Sequence, residues 1–167
     1  MKKYSFWLIP ENDLYQDIEK VIVKYTGEYG SPVFVPHVTT HSTVVSTDKQ
    51  VVNDVQRAIS EIESFEVQVG DVEFSTTYFQ CVFARIKTSA ELLNTHLSLQ
   101  DALEGEKNHV FMPHASLLYG DFDMQTRENI AKEIRLKTSS FMANKITIVR
   151  ADSRDPKDWS VVSQVSF

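Results

Sequence analysis

Two short segments of this sequence carry the same set of reactive groups. Phe34-Val35-Pro36-His37-Val38-Thr39 and Phe111-Met112-Pro113-His114-Ala115-Ser116 share the pattern F-x-P-H-x-[ST]. From this composition a chance second copy is on the order of one in a thousand, so the pair marks an internal duplication. Proline pushes the residue before it towards extended geometry, which makes Val35 and Met112 strand-like. Along a strand, residues i and i+2 point to one face, so His37 lies with Thr39 and His114 with Ser116. Two similar halves packed side by side would bring both pairs into one cleft.

Two imidazoles and two hydroxyls suit displacement at phosphorus. In-line attack needs a base on the entering side and an acid on the leaving side. Imidazole titrates at about 6.5, so one histidine can be neutral while its twin is protonated. The hydroxyls can donate to the non-bridging oxygens, where charge builds in the transition state. No metal is needed if the substrate is a strained cyclic ester. The alternatives are structural histidines in a duplicated strand, and threonine and serine present for ordinary strand preference.

The doubled motif resembles the paired HxT/HxS signature of the 2H phosphoesterases, and more narrowly their plant and fungal cyclic phosphodiesterase branch. Further stretches carry the resemblance: Trp7-Leu8-Ile9-Pro10, Ser31-Pro32 leading into the first motif, Tyr78-Phe79-Gln80-Cys81-Val82-Phe83, Leu117-Leu118-Tyr119 after the second, and Trp159. The resemblance implies an α+β fold of two pseudo-symmetric lobes, with antiparallel sheets lining a central cleft and helices outside. It implies hydrolysis of a nucleoside 2′,3′-cyclic phosphate to the 2′-phosphate, or of ADP-ribose 1″,2″-cyclic phosphate to ADP-ribose 1″-phosphate, with no metal or cofactor. On this resemblance His37 and His114 are the catalytic histidines. Thr39 and Ser116 bind the phosphate, and Tyr119 and Phe79 line the substrate site. Two departures stand out. The segment Glu104 to Val110 is short and polar, so a cleft rim built there would differ in specificity. Ala115 replaces a larger apolar residue, which changes packing behind His114.

Other residues compete for roles. His41 shares the strand face of His37 but is roughly 13 Å further on, too far to reach the same phosphorus. His96 falls in a leucine-rich helix and is expected to be a partly packed surface residue. His109 could lie at the cleft rim. Trp7 and Tyr4 are expected to serve packing, and Gln80 could meet a base edge. Arg85, Lys145 and Arg150 could meet a phosphate or pyrophosphate, but single basic residues on strands usually face solvent, which is the expected reading. Tyr119 and Phe79 could stack on a base, or could belong to the core. Cys81, flanked by strand-like residues, is expected to be a packed thiol.

The elements that must position these groups are legible from periodicity. Tyr4 to Ile9 alternates as a strand. Leu14, Ile18, Val21, Ile22 and Tyr25 recur at helical spacing until Gly27 and Gly30. Val33 to Val45 reads as a strand. Thr47 to Gln50 and Thr88 to Glu91 read as capping boxes that start helices, the second ending near Gly105. Phe65 to Phe74, Tyr78 to Ile86 and Phe111 to Tyr119 read as strands, and Asp123 to Leu136 as a helix. Lys145 to Arg150 and Trp159 to Phe167 close the chain as strands. The order is β-α-β-α-β-β-α-β-α-β-β, with no linker composition between the halves.

Composition bounds the function. The chain has 167 residues, 42% hydrophobic and 24% charged, which fits one domain over 1–167 and excludes wholesale disorder. Net charge is -6, with no basic cluster of five or more, so a small anionic ligand is expected rather than long nucleic acid. No apolar run approaches the roughly 18 to 20 residues of a membrane span, and the N-terminal apolar stretch is too short for a signal peptide. One cysteine permits no internal disulfide, which points to the cytoplasm. The expected partner is a small cyclic nucleotide or ADP-ribose cyclic phosphate, bound by a monomer. Two rivals remain open: a 2H phosphodiesterase acting on RNA 3′ ends or signalling oligonucleotides, and a non-catalytic nucleotide-binding module.

Overall fold

Strands and helices alternate along the chain in the computed structural model, which describes residues 2–103 and 110–167. The elements are β1 (Lys2–Leu8), α1 (Asn12–Tyr29), β2 (Val38–Ser46), α2 (Asp48–Ala58), β3 (Phe65–Phe74), β4 (Val82–Ile86), α3 (Ala90–Ala102), β5 (His114–Leu118), α4 (Met124–Glu133), β6 (Ser140–Ala143), β7 (Lys145–Arg150) and β8 (Ser160–Ser166). Thr47, Ser89 and Asp123 cap α2, α3 and α4, their side chains accepting the amides of Gln50, Leu92 and Thr126. Each cap satisfies one orphan amide of a helix's first turn. Gly30 closes α1 at φ 68, a conformation that costs glycine little. Gly27 lies inside α1 rather than ending it.

The strands form one antiparallel sheet in the order β6-β3-β4-β5-β2-β1-β7-β8. The expected α+β architecture of two pseudo-symmetric halves, β6-β3-β4-β5 and β8-β7-β1-β2, is therefore present. They join where β2 meets β5, and there Val38 pairs with Ala115. These are equivalent positions of the two motifs, as a two-fold relation requires. The helices cross over: α1 packs against β5 and α3 against β2. Ala115 is buried at this join, where a small side chain suits the close approach of the halves. A continuous apolar cluster runs from Tyr4 and Phe6 through Leu117 to Ile148. Among the described residues no helix is long and apolar enough to cross a membrane.

The structure departs from the sequence-based expectations in several further places. The expected strands over 33–45 and 111–119 shrink to β2 and β5, because each F-x-P segment stays outside the ladder, where proline has no amide to give. The expected strand over 78–86 begins only at Val82, so Phe79 and Gln80 sit on a connection. Its backbone oxygens are taken by side chains, Ser75 Oγ donating to the Gln80 carbonyl at 2.7 Å. Strand β6 is additional to the expected elements; its four residues are too short to show a period. Finally, α3 is capped by Ser89, one residue after the expected Thr88, and ends at Ala102, and α4 ends at Glu133 instead of Leu136. The expectations for Gly105, His109 and the segment 104–109 lie outside the described residues.

Candidate active site

The two motifs reach their positions through β2 and β5. Continuing the Val38–Ala115 register by one residue each way sets His37 opposite Ser116 and Thr39 opposite His114. The neighbouring strands repeat the arrangement: Trp7 on β1 pairs with Thr39, and Phe83 on β4 pairs with Ser116. His37, His114, Thr39, Ser116, Tyr119 and Phe79 all line one cleft of about 610 Å³.

Both histidines are held the same way. Nδ1 of His37 donates to the Val35 carbonyl at 2.6 Å, and Nδ1 of His114 to the Met112 carbonyl at 2.9 Å. A carbonyl only accepts, so Nδ1 carries a hydrogen in either protonation state. The proton that comes and goes is the one on Nε2. The acceptor in each case is the residue before the motif proline, so the x-P-H spacing itself orients the ring.

Their surroundings differ. His37 is buried, with its ring flat against Trp7 at 3.8 Å. His114 is half-buried and meets the edge of Phe83 at 5.4 Å. Burial pushes His37 down to about 4; the Val35 carbonyl opposes that shift and positive charge on His114 adds to it. His37 is therefore neutral at pH 7.

The hydroxyls are also unequal. Ser116 donates to the Phe79 carbonyl at 2.7 Å and bonds with the Tyr119 phenol. Thr39, half-buried, borders the cleft beside Trp7. Tyr119 is packed rather than open: Phe34 stacks on it at 3.7 Å, and Phe79 meets it edge-on at 5.1 Å. Burial pushes its phenol well above the usual range, with the Ser116 bond opposing. Phe79 is 39% exposed, so its ring is the one open to a flat ligand. Gln80 reaches the same cleft.

Three expectations are corrected here. His41 leaves the row of His37 and Thr39, although it lines the same cleft. Two bulges on β2 set Ser5 opposite Ser42 and Phe6 opposite His41, and the second moves His41 off the Trp7–Thr39 row. Thr43, at the first bulge, takes φ 65. His96 is buried, not a surface residue: Nδ1 donates to the Thr40 carbonyl at 2.7 Å and Phe111 stacks on its ring at 4.1 Å. Both His41 and His96 line the far end of the cleft. Trp7 does more than pack, since it is the surface on which His37 lies. Arg85, Lys145 and Arg150 engage carboxylates of Glu73, Glu11 and Asp48. Trp159 has no role from motif or spacing and enters the sequence reading only through the resemblance. It meets Trp7, Phe79 and Tyr119 and closes an aromatic wall beside His37. Cys81 is a buried thiol, as expected, though it precedes β4 instead of lying on it.

Comparison with known proteins follows the same lines. The chain matches the family of cyclic phosphodiesterase-like proteins over residues 1–167. It is 25% identical over 167 residues to a cyclic phosphodiesterase of Arabidopsis thaliana, covering 96% of this chain and 92% of that protein. Its fold resembles the crystal structure of a Thermus thermophilus protein, with a TM-score of 0.68, 14% identity, and 98% and 97% of the two chains covered. It also resembles E. coli LigT complexed with 3′-AMP, with a TM-score of 0.61, 13% identity, and 99% and 97% covered. A match running the whole length, on a sheet that brings two HxT/HxS motifs to one cleft, places this chain: it belongs to the cyclic phosphodiesterase-like family and is a phosphodiesterase enzyme of the 2H phosphoesterase type.

Proposed function

We propose that the protein, acting as a monomer, hydrolyses a small cyclic phosphodiester without a metal: a nucleoside 2′,3′-cyclic phosphate to the 2′-phosphate, or ADP-ribose 1″,2″-cyclic phosphate to ADP-ribose 1″-phosphate. The observation that carries this reading is the meeting of the two motifs across the β2–β5 join. It sets two identically tethered imidazoles and two hydroxyls on one cleft.

For the nucleotide, water attacks phosphorus from the side away from the departing ribose oxygen. His37, neutral because buried, takes the water proton on Nε2. The bond from phosphorus to the 3′ oxygen breaks, and His114 supplies the proton that oxygen needs. The enzyme ends with His37 protonated and His114 neutral, and one proton exchange through solvent resets it. Thr39 and Ser116 donate to the non-bridging oxygens. A bound phosphoryl oxygen competes with the Phe79 carbonyl for the Ser116 hydrogen. The base lies against Phe79, the exposed ring of the wall. Support for a small ligand comes from LigT, which has been crystallised with 3′-AMP, ATP and NADP+.

The test is incubation with a nucleoside 2′,3′-cyclic phosphate in excess EDTA, with the product identified by phosphorus NMR. The expected product is the 2′-phosphate. His37→Ala and His114→Ala each lower kcat by about 10²–10⁴-fold. Turnover that survives loss of both histidines overturns the assignment.

A further inference from the structure

Arg127 lies on α4, outside the cleft, and is 3% exposed. Its guanidinium donates four hydrogen bonds, all to backbone carbonyls. Nε reaches Phe122 at 2.8 Å, Nη1 reaches Ser75 at 2.7 Å and Thr77 at 2.9 Å, and Nη2 reaches Gly120 at 3.2 Å. A charge taken out of water costs several kcal/mol unless its donors are satisfied. The rigid fork of arginine lets one side chain meet carbonyls facing it from several directions, which the single ammonium of lysine cannot match.

The acceptors belong to two segments far apart in sequence. One, residues 75–81, connects β3 to β4; the other follows β5. Both end in the cleft. The first carries Phe79, whose ring is open to ligand and whose carbonyl receives the Ser116 hydroxyl. The second begins at Tyr119, whose phenol bonds with Ser116. A direct tie reinforces the clamp, the Gly120 amide donating to the Tyr78 carbonyl at 3.2 Å. A side chain at Gly120 would run into the Phe122 ring, which would have to move.

We infer that Arg127 is a positioning residue for the phosphodiesterase site: its guanidinium fixes the 75–81 segment so that the Phe79 carbonyl orients the Ser116 hydroxyl and the Phe79 ring walls the cleft. The inference rests on the proposed reaction, but its geometric half does not need turnover to be tested.

Two measurements test it. The first is the kinetics of Arg127→Lys and Phe79→Ala, singly and together, on a nucleoside 2′,3′-cyclic phosphate. Asp123→Ala serves as control, because it weakens the same helix by removing its cap and leaves the guanidinium bonds in place. Well below the melting temperature, Arg127→Lys lowers kcat/KM about tenfold or more, as a small displacement of a binding group does. The shape of its pH profile is unchanged, because neither histidine is touched. The double variant loses less than the product of the single losses, since both act through one segment. Asp123→Ala lowers the melting temperature and leaves kcat/KM within about twofold, a surface-type change distant from the chemistry. Equal kcat/KM in Arg127→Lys and wild type, or strictly multiplicative losses, overturns the inference.

The second measurement is hydrogen exchange on the unmodified protein, which decides the matter even if Arg127→Lys does not fold. The Gln80 and Gly120 amides, bonded to Thr77 Oγ1 and the Tyr78 carbonyl, exchange together with the interior amides of α4. Exchange of either about 100-fold faster than α4 shows that the segment opens independently of the clamp, and overturns it. Absence of turnover with normal exchange protection would fail the proposed reaction and leave the clamp standing.

Discussion

At the scale of single residues, the two motif histidines are chemically alike and environmentally different. His37 titrates at about 4 in the folded protein against 6.5 ordinarily, because it is buried against Trp7. The sign follows directly: as pH falls, the unfolded chain takes up this proton first, so the folded state loses stability between about pH 6.5 and 4 and loses no more below. A gap of this size is worth on the order of 3 kcal/mol. Replacing His37 by glutamine flattens the pH dependence of the urea midpoint in that window, and an unchanged slope would contradict the assignment. On the proposed reaction, with His37 as the base, the same depression extends the kcat/KM plateau to acid, with the ascending limb well below pH 6.5. The hydroxyls separate too. On the proposed reaction, Ser116→Ala and Thr39→Val each remove a donor to the phosphoryl group and lower kcat by about 10²-fold. Ser116→Ala additionally lowers the melting temperature, because the part-buried bond to the Phe79 carbonyl is lost.

At the scale of elements, the site depends on where strands stop as much as on where they run. The F-x-P segments leave the ladder one residue before or at the histidine, and this lets each ring fold back onto the carbonyl two residues earlier. The bulges on β2 put Thr39 beside Trp7 and take His41 off that row. Helix α2 only closes the structure, which makes its cap a clean probe. Thr47→Ala costs about 1 kcal/mol with kcat/KM unaltered, read as a shifted urea midpoint at constant slope. Gly120→Ala behaves differently. The Phe122 ring, packed edge-on against Tyr29 at 5.4 Å, must move to admit a methyl group. The expected loss is about 1–3 kcal/mol, with weaker substrate binding because Gly120 belongs to the Arg127 clamp.

At the scale of the molecule, an acidic protein with a narrow aromatic cleft suits a ligand carrying few phosphates. Plotted as log kcat/KM against log salt, a cyclic mononucleotide gives a slope shallower than about -1.4, the value for two neutralised phosphates on a single strand. A steep slope on oligonucleotides with weak turnover of the cyclic mononucleotide would favour the RNA rival. The repeat, the paired His and hydroxyl groups, the helix cap at Thr47 and nearly all of the element order were legible in the sequence, whereas the cap of α3 falls on Ser89, one residue after the expected Thr88. They depend on local rules: strand period, proline geometry and capping. The inequality of the two histidines, the sheet order, strand β6 and the roles of Trp7, His96, Gly120 and Arg127 were not, since each is created by residues distant in sequence. Trp7 meets His37 because β1 pairs with β2, and Arg127 reaches Ser75 only because α4 packs beside β3 and β4. Local chemistry thus named the reactive groups, while burial and long-range pairing decided which histidine is neutral and what holds its partners in place.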